Sequence, residues 1–405
     1  MFTKTQEALE ALGAAITTKE IKQEPRLWQE TMTFFEETRD SLDSFLKRVC
    51  KSANGNNVHV IFTGAGTSEY IGNTICPYLK KVGNRQCYLF ESVASTDLVA
   101  APDYYLAEEE TVLLVSFARS GNSPESVAAV NLVNQLVPNS YHLTITCAKD
   151  GELAKKAQQD ERSYLYLMPE DANDAGFAMT GSFTMTGSFT CMMLAALLIF
   201  DDANSIAQKE AYVTDMILAG QAVIDQERRL QELADLGFER LVYLGSAGLA
   251  KLTQEAQLKM LELTAGQVAT LYESSMGFRH GPKSFINDRT LVIGFVNNDA
   301  YVRQYDLDML EEIQADGIAL KILALLQGGD INFSEDQFRL DTRHLLPEAY
   351  LAFPMILVAQ TLALLTAVTL GNSPDTPSAT GTVNRVVKGV TIHPYPTSSR
   401  QCNKA

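Results

Sequence analysis

Residues that bind metals or form disulfides are few and scattered in this sequence. The 405 residues include six cysteines and five histidines, and no CxxC pair or zinc-like His spacing occurs. We therefore expect no metal site. With no signal peptide at the start, we predict that the cysteines are reduced thiols of a cytoplasmic protein. They are Cys50, Cys76, Cys87, Cys147, Cys191 and Cys402.

Basic side chains are also scarce. The 33 lysines and arginines form no cluster and are outnumbered by 49 acidic residues, so the net charge is −16. Because this field repels polyanions, we expect no nucleic-acid partner. A small phosphate ester would have to be bound locally, by backbone N–H groups and hydroxyls.

Long hydrophobic runs are limited to residues 351–370 (LAFPMILVAQTLALLTAVTL), a length that could span a membrane. Pro354, Gln360 and three threonines interrupt the run, and no basic flank follows it. We therefore predict a buried helix and no membrane partner.

The composition is that of a soluble globular protein, with 46% hydrophobic and 20% charged residues. A chain this long is expected to form two domains. Helix-like spacing of Leu27, Phe35 and Leu42 predicts an N-terminal helical segment. We place that segment at 1–50, a first domain at 51–207, a second at 208–390 and a tail at 391–405.

A strand–loop–helix unit occurs twice. Residues 58–62 (VHVIF) lead into Gly64, and residues 241–244 (LVYL) lead into Gly245; a helical stretch follows each turn. A second apolar strand follows in each half, at 111–116 and 291–296. Alternating strands and helices predict an α/β fold with two doubly wound parallel sheets and ligands at the carboxyl ends of the strands.

Two hydroxyl-rich loops follow strands in the first domain. The turn FTGAGTS (62–68) allows close backbone approach, and the helix after it offers free N–H groups. The loop RSGNSPES (119–126) repeats the arrangement. Ser123 could instead be only a helix N-cap, but two such loops favour a phosphate site. The predicted phosphate contacts are Gly66, Thr67, Ser68, Ser120, Gly121 and Ser123.

These loops resemble the sugar isomerase (SIS) domain family, whose members bind phosphosugars. The tandem arrangement resembles the isomerase half of glucosamine-6-phosphate synthase, and the resemblance covers nearly everything after residue 50. The segments AMTGSFT, ESSMGFRHGP and GTVNRVVKGVTIHP further resemble bacterial galactosamine-6-phosphate deaminase/isomerases. Such enzymes need no cofactor, and the resemblance implies a homodimer with a shared active site.

The resemblance also implies catalytic roles. Glu262 falls at the isomerising base, His280 at the ring-opening acid–base and Lys388 at a C-terminal lysine of the synthase family. Glu273 is kept as the alternative base, because the spacing between Glu262 and His280 differs by about two residues. Glu262 could also be a helix-surface partner of Lys259.

Four further positions are possible substrate contacts. They are Arg119, Thr180, Ser182 and Arg279. The motif MTGSFT occurs twice in succession, at 179–184 and 185–190, and the sequence does not say which copy contacts the ligand.

The resemblance implies a reaction that converts galactosamine 6-phosphate to tagatose 6-phosphate and ammonia. Aldose–ketose isomerisation without deamination is the alternative. A non-catalytic phosphosugar sensor is disfavoured by the presence of the acid–base residues.

Overall fold

The computed structural model describes residues 1–168, 182–328, 333–334, 336–340, 342–381, 384 and 389–396. The helices are α1 (Gln6–Ala11), α2 (Ala15–Lys22), α3 (Glu24–Ser52), α4 (Thr67–Val82), α5 (Ser95–Ala100), α6 (Pro124–Leu136), α7 (Glu152–Gln159), α8 (Gly187–Phe200), α9 (Ile206–Asp225), α10 (Glu227–Ala234), α11 (Ala247–Leu263), α12 (Ala300–Asp316) and α13 (Glu348–Thr369). The strands are β1 (Val58–Thr63), β2 (Tyr88–Ser92), β3 (Thr111–Ala118), β4 (Asn139–Thr146), β5 (Ser163–Leu167), β6 (Arg240–Gly245), β7 (Ala269–Ser274), β8 (Thr290–Phe295), β9 (Lys321–Leu326) and β10 (Asp336–Arg339).

These strands form two parallel five-stranded sheets with the same topology. The strand orders are β2-β1-β3-β4-β5 and β10-β9-β8-β6-β7. Every residue of the central strands β3 and β8 is buried, because helices cover both faces of each sheet and apolar side chains therefore point both ways. The predicted α/β fold with two doubly wound sheets is confirmed.

The turns after β1 and β6 share one geometry. A Cβ added to Gly64 would lie 2.5 Å from the carbonyl carbon of Ser68, and one added to Gly245 would lie 2.9 Å from that of Leu249. Both turns therefore need glycine, since the strand and the following helix approach too closely for a side chain. The internal repeat seen in the sequence is a repeat of backbone geometry.

The N-terminal segment is helical, as predicted, and packs on the first sheet's helices. Leu27, Trp28 and Phe35 of α3 are buried against α8 and α9. Trp28 meets Phe353 of α13 edge-on, with ring centroids 5.8 Å apart. The N-terminal helices thus join both halves in one core. The predicted domain boundary at 207–208 falls in the first turn of α9.

Helix α13 is long and apolar enough to cross a membrane by composition. However, 94% of its most apolar window is buried inside the protein, and it packs against α9, α10 and α11. The core-helix interpretation of residues 351–370 therefore agrees with the structure.

One expectation about cysteine was wrong. Cys50, in the last turn of α3, forms a disulfide with Cys87, which precedes β2; their Cα atoms are 6.0 Å apart. Sequence spacing could not reveal the pair, because the fold brings together residues 37 positions apart. Cys76, Cys147 and Cys191 are free and buried, and Cys402 lies outside the described residues. A cytoplasmic location stays a prediction.

Candidate active site

The candidate site lies where the first sheet reverses its strand order. The turn after β1 and the loop after β3 leave adjacent parallel strands at the same edge. This is the position at which doubly wound sheets form their ligand crevice. Gly66 and Gly121, with φ of +56° and +67°, provide left-handed turns in the two loops.

The helices that follow these loops have uncapped N-termini. Gly66 stands at the N-cap of α4 and has no side chain to cap it. Ser123 stands at the N-cap of α6, but its hydroxyl donates to Ser126 Oγ at 2.6 Å and makes no cap bond. Neither helix end is thus capped by the side chain at its N-cap, and a helix N-terminus is a place where an oxyanion can bind.

The predicted hydroxyls line these loops. Thr67 and Ser68, at the start of α4, are buried, and Ser68 Oγ contacts Met185 Sδ at 3.7 Å. Ser120 Oγ accepts a hydrogen bond from Asn122 N. Adjacent strands carry the two loops, so the topology brings the predicted phosphate contacts to one crevice.

Helix α11 of the second half packs against α4 and adds charged groups to this crevice. Lys259 Nζ donates to Thr67 Oγ1 at 3.1 Å and to Glu262 Oε2 at 2.7 Å. It also lies 3.3 Å from Glu255 Oε1. The side chains of Lys259 and Glu255 are fully buried, whereas that of Glu262 is 26% exposed. Glu262 is therefore the carboxylate of this trio that a ligand can reach.

Burial and ion pairing oppose each other in their effect on the pKa values of the two buried residues, Glu255 and Lys259. Burial raises the pKa of Glu255 to about 7, although Lys259 opposes the shift. Burial alone would lower the pKa of Lys259, but the carboxylates of Glu255 and Glu262 outweigh it and raise that pKa. Lys259 is thus a cation held in the protein interior by two carboxylates.

Glu255 was not among the site residues predicted from the sequence, and Lys259 was expected only as a surface partner of Glu262. The pair forms, but it lies at a buried helix–helix contact. The segment EAQLKMLE carried a usable signal, because Glu255, Lys259 and Glu262 stand at positions i, i+4 and i+7 and therefore lie on one face of the helix.

Glu273 and His280 lie on β7 and on the short turn that follows it. Glu273 is the penultimate residue of β7, and its Oε1 accepts from Ser274 N at 2.7 Å and from Ser274 Oγ at 3.1 Å. His280 is exposed at the end of a short 3₁₀ turn, just before Gly281 with φ of +122°. Glu273 thus stabilises its own turn, whereas His280 projects from the surface.

The possible substrate contacts are held by other protein groups. Arg119 is buried and donates to the carbonyl oxygens of Ser182 and Thr184 at 3.1 and 3.2 Å. Ser182 N in turn donates to Glu20 Oε1 of α2 at 2.8 Å. Arg279 pairs with Glu312 of α12. Thr180 and Lys388 lie outside the described residues.

Known proteins with similar sequences share almost the full length. Residues 55–199 match the SIS domain family. The D-galactosamine-6-phosphate deaminase AgaS of Escherichia coli is 42% identical over 94% of this chain and 96% of its own. The protein of the same name from Shewanella sp. strain ANA-3 is 39% identical over 96% and 94%.

A solved structure agrees with the sequence relatives. The tagatose-6-phosphate ketose/aldose isomerase from Escherichia coli superposes with a TM-score of 0.81 at 38% identity, covering 94% of this chain and 97% of that one. Its agreement extends over both sheets of the fold. This chain therefore belongs to the SIS-domain family, in the group of the D-galactosamine-6-phosphate deaminases AgaS.

Proposed function

We propose that the protein converts galactosamine 6-phosphate to tagatose 6-phosphate and ammonia. The observation that carries this proposal is the contact between Lys259 and Thr67, which sets the Glu262 carboxylate beside the uncapped N-terminus of α4. The names of relatives about 40% identical supply the substrate. The phosphate would bind the hydroxyls and N–H groups of the two first-domain loops.

The chemistry has two stages. Glu262 takes the proton from C2 of the open-chain amino sugar and returns it to C1. The C2 amine loses one proton and O1 gains one, so that the C1 aldehyde becomes an alcohol and C2 becomes an imine. Water then adds to the C2 imine, the C–N bond breaks, and ammonia leaves behind a C2 ketone. No oxidant or reductant is consumed, and we propose no cofactor.

Glu262 is favoured over Glu273 as the base. Its partner Lys259 contacts the phosphate loop, and its side chain is partly accessible. Glu273, in contrast, accepts two hydrogen bonds from Ser274. Lys259 would hold Glu262 in place before substrate binds.

His280 is proposed to open the sugar ring, since a histidine can donate and accept protons near neutral pH. Its exposed position fits a residue that completes the site of a second copy in a homodimer. Lys388 would stabilise the negative charge that develops on the intermediate.

Isomerisation without deamination is the second candidate. The solved relative from Escherichia coli carries the name of a ketose/aldose isomerase, which favours it. Both reactions use the same proton transfer between C1 and C2, so the geometry of Glu262 serves either.

An ammonia assay separates the two. Purified protein is incubated with galactosamine 6-phosphate, and ammonia and ketose phosphate are measured together. We expect equal amounts of both. Interconversion of tagatose 6-phosphate with an aldose phosphate, without ammonia from the amino sugar, would replace the first proposal by the second.

A further inference from the structure

The second sheet has its own switch point, between β6 and β8. The turn after β6 shares two features with that after β1: Gly245 stands where Gly64 does, and Ala247 has φ of +51° where Gly66 has +56°. A left-handed alanine is uncommon, so this backbone shape persists without the glycine that usually permits it. The second half thus retains the loop geometry of the first.

A carboxylate of the protein itself lies in this second crevice. Glu348, the first residue of α13, accepts a hydrogen bond from Gly248 N at 3.2 Å through Oε1. Its Oε2 accepts from Asn297 Nδ2 at 2.6 Å. Gly248 is in the first turn of α11 and corresponds to Thr67; Asn297 lies in the loop after β8. The carboxylate therefore bridges the two switch-point loops, as a bound oxyanion would.

The backbone allows this approach only because residue 248 is glycine. A Cβ added to Gly248 would lie 2.9 Å from Glu348 Oε1 and 2.7 Å from Thr74 O. The threonine found at the corresponding place in the first half would therefore displace the carboxylate. Glycine at position 248 thus admits the Glu348 carboxylate to the second crevice, whereas a threonine, as at position 67 of the first, would exclude it.

The N-terminus of helix α12 is also capped by a carboxylate of the protein. Asp299 at its N-cap accepts hydrogen bonds from Tyr301 N and Val302 N, at 3.0 and 3.2 Å. In the described residues of the first half, neither Gly66 nor Ser123 caps its helix. Carboxylates thus fill both helix N-termini of the second switch point, whereas those of the first are left for a ligand.

A cavity of about 440 Å³ adjoins Glu348, but it lacks the acid–base set of the first site. The α4 positions that correspond to Glu255, Lys259 and Glu262 are Thr74, Tyr78 and Lys81, and the last two line this cavity. Lys81 Nζ lies 3.9 Å from Asp299 Oδ2. The buried Asp306 accepts from Ser246 and Ser275 at the same sheet edge.

We infer that the second domain retains an oxyanion site equivalent to that of the first, and that the carboxylate of Glu348 fills it. The ligand class of this site is a small oxyanion, a carboxylate or a phosphate. The chain accordingly binds one phosphosugar, at the first domain. The comparison rests on the proposed phosphate-binding role of the first-domain loops.

The test removes the internal anion and supplies a free one. Glu348→Ala is titrated with sodium acetate and with inorganic phosphate at constant ionic strength, and its melting temperature is followed beside that of the wild type. We expect acetate or phosphate to raise the variant's melting temperature by roughly 2 °C at about ten times the dissociation constant, with no comparable rise in the wild type. A crystal structure of the variant with the anion should show it between Gly248 N and Asn297 Nδ2. Equal responses in both proteins, or no anion at that place, would overturn the inference.

Glu348→Asp is the second variant, and it decides the matter if the alanine protein does not fold. It keeps the charge but withdraws the carboxylate by one methylene, so we expect a lower melting temperature that acetate does not restore. Stability equal to the wild type would contradict a specific bridge at residue 348. Ammonia release by the wild type is measured in parallel: its absence overturns the proposed function alone, whereas a failed rescue overturns only the internal-anion inference.

Discussion

Lys259 Nζ donates a hydrogen bond to Thr67 Oγ1 across the contact between α11 and α4. One residue belongs to the second half of the chain and the other to the first, so the candidate site exists only when the two halves are packed together. The same lysine pairs with two acidic side chains of its own helix, Glu255 and Glu262.

Replacing Lys259 tests this arrangement. At pH 8, above the raised pKa of Glu255, Lys259→Met would leave that carboxylate buried without its cation, and breaking a buried pair in this way typically costs about 3–5 kcal/mol. We expect a loss of this size in the free energy of unfolding, measured with urea. Lys251→Met is the matched control, because Lys251 is an exposed lysine on the same helix and its loss should cost less than about 0.5 kcal/mol. Equal effects of the two changes would contradict the role given to Lys259.

Glu262→Gln should abolish most turnover while preserving the fold. The amide is nearly the same size but cannot take a proton, so we expect kcat for ammonia release to fall about 10²–10⁴-fold. Glu273→Gln is the control, and we expect its kcat within about threefold of the wild type. Reversal of the two results would make Glu273 the base.

Stability should depend on pH through Glu255. Its pKa is raised from 4.5 to about 7 in the folded protein, so folding favours the protonated acid. This contribution is fully present below about pH 4.5 and is lost as pH rises through about 7. Relative to Glu255→Gln, the wild type should therefore lose up to about 1.4 kcal/mol per pH unit in that window. Urea unfolding of both proteins at pH 5, 6, 7 and 8 measures the difference, and parallel curves would contradict the assignment.

The Cys50–Cys87 disulfide should stabilise the first domain. It closes a loop of 37 residues, and a bridge of this kind contributes about 2–4 kcal/mol. Cys50→Ala/Cys87→Ala should unfold at lower urea concentration than the oxidised wild type and should not respond to dithiothreitol. Cys76→Ala is the control, because that thiol is free. Thiol counting on unfolded wild type before and after reduction should differ by two, and an unchanged count would show that the bridge is absent.

The sequence alone predicted the α/β architecture, because strand and helix patterns are local and repeat in the chain. β1, β3, β6 and β8 lie where their apolar runs indicate, and α3 and α13 bury the predicted residues. The phosphate-loop candidates were also local, since hydroxyls and glycines cluster directly after two strands. The roles of Glu262, His280 and Lys388 came from family resemblance and stay predictions.

Tertiary structure decided what depends on contacts between distant segments. It showed Lys259 as a buried partner of Thr67, paired Cys50 with Cys87, and assigned Arg119 to the backbone at 182–184. It also showed Glu348 on the turn that resembles the phosphate loop. The residues of a helix or a loop are recognisable from their spacing in the sequence. Which charged side chain contacts them from the other half of the chain, as Lys259 contacts Thr67, depends on how the two halves pack.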